Sequence, residues 1–131
     1  MTYLSKAFIA ISLLTSSMSM ANAATTVDLE FAAYQMVGAG PFSTEAGEKL
    51  WNQKHADGRS CAGCHGSDLR QVGKHVNTGK KIEPLAPSVN PKRLTDQRQI
   101  EKWFTRNCKW TLGRECTAQE KGDFLTFILA Q

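Results

Sequence analysis

The sequence predicts an all-α fold of short helices joined by long loops. Three stretches carry apolar side chains at helical spacing behind a residue able to cap a helix, around 43–54, 95–107 and 117–130. No run alternates in the manner of a half-buried strand. Between the first two stretches, residues 66–94 are rich in Gly, Pro, Ser and Asn, with Pro84, Pro87 and Pro91 close together, which excludes a long helix. A loop of that length needs something to pack on.

The chain has 131 residues, and the first 23 are expected not to fold. Lys6, the apolar run Ala7-Phe8-Ile9-Ala10-Ile11-Ser12-Leu13-Leu14 and the small-residue site Ala21-Asn22-Ala23 form the pattern of a cleaved secretory signal. The apolar run is short for a membrane span of about 20 residues. This reading gives a periplasmic protein with one mature domain, 24–131. The formal net charge of +4 falls to +3 when Lys6 leaves, and no dense basic run with interleaved aromatics is present. Nucleic-acid binding is therefore not expected.

In order, residues 27–37 are weakly helical, and Gly38-Ala39-Gly40-Pro41 breaks the chain. Ser43 or Thr44 caps a helix to about Lys54, with Glu45 and Glu48 near its positive end. Gly47 lowers helix propensity there, which points to a close helix crossing. Thr95 or Asp96 opens a helix to about Asn107, with Ile100, Trp103, Phe104 and Asn107 on one stripe. Thr117-Ala118-Gln119-Glu120 is a capping box for a last helix through Ala130, broadly apolar at Phe124, Leu125, Phe127, Ile128 and Leu129.

The chemistry centres on Cys61-Ala62-Gly63-Cys64-His65. Two thiols three positions apart, followed at once by an imidazole, form the attachment sequence for one c-type haem. Cys61 and Cys64 bond to the cofactor, and His65 is delivered to the iron as proximal ligand. A thiol redox motif would need a βαβ setting, which is not visible. A zinc site would need two further ligands, for which Cys108 and Cys116 are the candidates. With the haem holding Cys61 and Cys64, Cys108 and Cys116 are left to pair in an oxidising compartment. Short helices around a haem resemble the class I cytochrome c fold, in which the helix before the motif crosses the C-terminal one. Gly47 and Trp51 would meet Phe124 and Phe127 at that crossing.

The distal side of the iron decides the function. The four methionines are Met1, Met18, Met20 and Met36, so none follows the haem motif. A conventional His/Met carrier is excluded on that ground. The other candidates are His55, His75, a lysine among Lys74, Lys80, Lys81 and Lys92, the asparagines Asn90 and Asn107, or no ligand. His55 reads as a surface histidine, and His75 can reach the haem edge or a propionate. Asn107 lies on the apolar stripe of its helix, where it either caps the helix end or ligates the iron.

These residues together resemble the sphaeroides haem protein family of bacterial cytochromes c. The resemblance rests on the haem motif, Thr-Gly-Lys-Lys-Ile-Glu-Pro-Leu-Ala-Pro-Ser at 78–88, Lys-Trp-Phe-Thr-Arg-Asn-Cys at 102–108 and Leu-Gly-Arg-Glu-Cys at 112–116. It implies a class I fold with one haem, a disulfide Cys108–Cys116, and Asn107 as a weak distal ligand beside it. A related cytochrome has histidine at that place. The implied function is electron transfer coupled to binding of O2, NO or CO by the ferrous, high-spin haem. The implied redox partners are a dihaem cytochrome c and a membrane cytochrome b. The rival readings are a plain electron carrier and a haem oxidoreductase acting on O2, NO or peroxide. For the latter, no acid/base set beyond Asn107 and His75 is visible.

Overall fold

The four longer helices each open on the cap their sequence supplies, and the order of elements follows from those caps. The structure is a computed structural model that describes residues 24–55 and 57–131; the expected secretory segment, 1–23, lies outside the described residues. Thr25 and Asp28 form a capping box at the start of α1 (Thr26–Met36). Ser43 accepts from the Ala46 amide at the start of α2 (Thr44–Asn52). One turn, α3 (Ala62–His65), holds most of the haem motif. A two-residue antiparallel pair, β1 (Gly73–Lys74) and β2 (Lys81–Ile82), follows, with Gly73 opposite Ile82. Asp96 caps α4 (Gln97–Leu112), and the Thr117/Glu120 box caps α5 (Ala118–Leu129).

The crossing of α2 and α5 organises the core. A Cβ on Gly47 would lie 2.7 Å from the Phe127 Cβ and would also collide with the Asp123 carbonyl, so only glycine permits this approach. Trp51, one turn on, packs its ring 6.2 Å from Phe124 and 5.8 Å from Phe127. The expected contact between these four residues is present. Buried Asp123 accepts from the Ser43 amide at 2.8 Å and from Gln119 Nε2 at 3.1 Å, which ties α5 to the start of α2.

Two buried clusters result. One joins Trp51, Leu69, Ala86, Phe124, Phe127, Ile128 and the Cys108–Cys116 pair; the other joins Val27, Tyr34, Ile100 and Leu125. Leu94 and Phe104 pack against both.

Three expectations about elements need correction. The hairpin β1–β2 was not visible in the sequence, since two paired residues carry no periodicity. Helix α2 ends at Asn52, earlier than Lys54. Helix α4 does not stop at Asn107 but continues to Leu112, ending on Gly113 at φ 72°. Its buried stripe explains the extra turn, because Cys108 and Thr111 extend the line of Ile100 and the half-buried Phe104. The Cys108–Cys116 disulfide, Cα–Cα 5.6 Å, then spans the Gly113 turn to the residue before the α5 capping box.

Candidate haem site

The turn that carries the thiols is short and held from two sides. Ser60 Oγ accepts from the Gly63 amide at 3.1 Å, and the His65 amide donates to the Cys61 carbonyl at 3.1 Å. Gly66 closes the turn, its amide on the Ala62 carbonyl, and its own carbonyl accepts from Trp51 Nε1 at 2.8 Å. The Trp51 and His65 rings lie 5.5 Å apart. From the other side, β1 presses on the turn: a Cβ on Gly73 would sit 3.1 Å from the His65 Cα and collide with the Cys64 carbonyl.

Cys61, Cys64 and His65 line a cavity of about 520 Å³, within the range of small-molecule and cofactor sites. Trp51, Phe124, Leu125 and Ile128 form part of its apolar wall, and Ile82, Leu85 and Leu94 line the loop side. Ile100, Trp103, Phe104 and Asn107 all line it from α4, with Trp110 and Thr111 beyond them. Burial pushes the Cys61 thiol up to about 11. Burial, then the charges of Arg93 and His75, lowers His65 to about 4. At neutral pH His65 is therefore the free imidazole, the form able to ligate a metal.

Asn107 is one residue before Cys108, which is only 3% exposed and tied to Cys116. Because α4 runs on past it, Asn107 is interior to the helix and does not cap its end. It is exposed on the cavity wall. Met36, on α1, is 87% exposed and does not line the cavity.

The other distal candidates separate cleanly. Asn90 turns its Nδ2 to the Pro84 carbonyl at 3.0 Å and is not among the lining residues. Lys74, Lys80, Lys81 and Lys92 are exposed and do not line the cavity. His55 does not line it either, and it is not a surface histidine: its Nε2 is buried without a hydrogen-bond partner among the described residues. His75 does line it. Arg93, Trp110 and Thr111 also line it, beyond the residues expected there. Only Thr111 had a visible signal, its place on the α4 stripe.

These residues fit a haem. Two thiols and a neutral imidazole share one turn on the wall of an apolar cavity of suitable volume, and among the described residues the cavity lining contains no Asp or Glu.

Comparison with known proteins agrees. A domain family described as a domain of unknown function, DUF1924, matches residues 37–128. The chain is 41% identical over 104 residues to the cytochrome c-type protein SHP of Cereibacter sphaeroides, covering 76% of this chain and 80% of that protein. It is 44% identical over 72 residues to cytochrome c'' of Methylophilus methylotrophus, covering 55% of this chain and 50% of that one. Among solved structures, oxidised SHP, described as an oxygen-binding cytochrome c, superposes with a TM-score of 0.74 at 40% identity, over 82% of this chain and 98% of its own. Oxidised cytochrome c'' superposes at 0.68 and 34% identity, over 81% and 94%. With the motif, the cavity and these likenesses in agreement, the chain belongs to the sphaeroides haem protein family of class I-like cytochromes c, which carry one haem c per chain.

Proposed function

We propose that this is a periplasmic monohaem cytochrome c in which electron transfer is coupled to binding of small diatomic ligands such as O2 or NO. In this reading the signal 1–23 is removed and 24–131 is the mature domain. Cys61 and Cys64 hold the haem covalently, His65 is the proximal ligand and Asn107 the distal one. The haem, when bound, supplies the one-electron couple and the iron at which small ligands bind.

The observation that carries the reading is the placement of Asn107. It lies on the cavity wall inside α4, beside a buried disulfide, and no methionine among the described residues lines the cavity. An amide oxygen is a neutral, hard and weak donor, acceptable to ferric iron and poor for ferrous iron. Asn107 would therefore suit the oxidised protein as a ligand and would be readily lost from the reduced one. Its amide NH2 group is then free to donate a hydrogen bond to a polar diatomic ligand in the same cavity. The solved relatives support this direction: one is described as oxygen-binding, and work on another concerns haem-ligand detachment. A dihaem cytochrome c fed from a membrane cytochrome b fits as electron donor.

Ferric and ferrous spectra of the wild type and Asn107→Ala test the assignment. The expected result is a changed ferric coordination in the variant and a wild-type ferrous form that is high-spin and binds CO. Unchanged ferric spectra in Asn107→Ala would remove Asn107 from the iron. A low-spin ferrous wild type that ignores CO would favour the plain carrier.

A further inference from the structure

The lining of the haem cavity is electrostatically one-sided. Among the described residues it includes Arg93, Arg106, His65 and His75 and no carboxylate. His65 is assigned to the iron, and Arg106 stacks its guanidinium 5.2 Å from the Trp103 ring, whose side chain is 43% exposed. That leaves Arg93 and His75, both held in place by the loops around them.

Arg93 is pinned by its own loop. Its Nε donates to the Pro84 carbonyl and its Nη2 to the Glu83 carbonyl, both at 2.9 Å. The guanidinium is thereby fixed at the cavity, with Nη1 carrying no hydrogen bond among the described residues. His75 is oriented in the same fashion. Its Nδ1 accepts from the amides of Asn77 and Thr78, both at 3.3 Å, so the proton of the neutral ring sits on Nε2. The His75 ring stands 6.3 Å from that of Trp110. Both side chains line the same cavity as His65.

A haem brings two carboxylates into a cavity that supplies no negative charge of its own. Carboxylates taken out of bulk water need donors, preferably charged ones. We propose that Arg93, through Nη1, and His75, through Nε2–H, hold the two haem carboxylates, so that the β1–β2 hairpin and the 83–93 loop act as a clasp over that edge of the cofactor. The loop's three prolines keep the carbonyls that pin Arg93 in a set geometry. The proposal rests on haem occupancy alone and does not depend on the role of Asn107.

The test compares the holoprotein with Arg93→Gln, Arg93→Lys and His75→Leu by resonance Raman of the propionate bending modes and by redox titration. Arg93→Gln is expected to shift one bending band and to lower the reduction potential, because a positive charge near the iron is lost. Arg93→Lys should restore the potential but not the band, since an ammonium lacks the fork that Arg93 presents. His75→Leu should shift the other band. If Arg93→Gln does not fold, the crystal structure of the wild-type holoprotein decides, with Nη1 and Nε2 expected at about 3 Å from carboxylate oxygens. Bands unmoved by both substitutions, or carboxylates directed away from these two atoms in the crystal, overturn the proposal.

Discussion

The Arg59 guanidinium lies 4.3 Å from the centroid of the Trp110 ring, and its Nη1 donates to the Trp110 carbonyl at 2.8 Å. That carbonyl belongs to the last turn of α4, where main-chain acceptors have no partner within the helix and the helix end attracts positive charge. Arg59 is two residues before Cys61, and Trp110 is three residues after Asn107. The cation therefore fastens the haem-attachment segment to the turn that follows the proposed distal ligand. Arg59→Ala is expected to reduce stability by about 1 to 2 kcal/mol. Under the proposed reading it should also raise the fraction of ferric protein in which Asn107 is off the iron. Denaturant titration and ferric absorption spectra measure the two effects, and a lysine should restore less than half, since it cannot stack and donate in the same pose.

Gly47 should tolerate no side chain. Gly47→Ala places a methyl group against the Asp123 carbonyl and the Phe127 Cβ, so α2 and α5 must separate. Overpacking of this kind costs about 1–3 kcal/mol. The loss should appear as a lower urea midpoint, together with a changed environment for Trp51, whose Nε1 would be drawn from Gly66. An unchanged midpoint would show that the crossing is looser than the contact implies.

Removal of the disulfide should act on stability and on the iron site together. Cys108→Ser with Cys116→Ser opens the loop between two residues with a sequence separation of 8 and is expected to cost about 2–3 kcal/mol in the chain-entropy account. Because Cys108 adjoins Asn107, the same variant should bind CO to the ferrous protein at an altered rate. Stopped-flow mixing with CO checks this, and an unaltered rate would separate the bridge from the distal site.

Stability should also depend on pH through Glu30. This side chain is buried on α1, and desolvation raises its pKa above the ordinary 4.5, with the charge of Glu101 acting in the same direction. A raised folded pKa means that the neutral acid is favoured in the folded protein. Its contribution is complete below 4.5 and is lost as pH rises through the folded value. Glu30→Gln mimics the neutral form. The variant and wild type should match at low pH, and the variant should be the more stable at neutral pH, in paired denaturation curves. Parallel curves at all pH values would exclude the assignment.

What the sequence made legible follows from where its signals are local. Ser43, Asp96 and the Thr117/Glu120 box announced three helix starts, because a cap is a contact over three residues. The α2–α5 crossing was legible because Gly47 is a poor helix residue with no other reason to be there. The end of α4 was misplaced, since Asn107 reads equally as a cap or as an interior residue. Cys108 and Thr111 continued the stripe and were the signal for the longer helix. Arg93 and the tautomer of His75 were illegible because both depend on main-chain groups that meet only in the folded loops.

Asn107 is carried by a helical turn that the Cys108–Cys116 bridge and Arg59 hold still. The backbone therefore does not have to travel for the amide to leave the iron under the proposed reading. Withdrawal reduces to rotation about the two side-chain bonds of one asparagine, a motion of picoseconds to nanoseconds at an unhindered site. Under that reading the amide is already off the ferrous iron, so no slow protein step precedes ligand binding, and the observed rate of uptake should rise in proportion to ligand concentration.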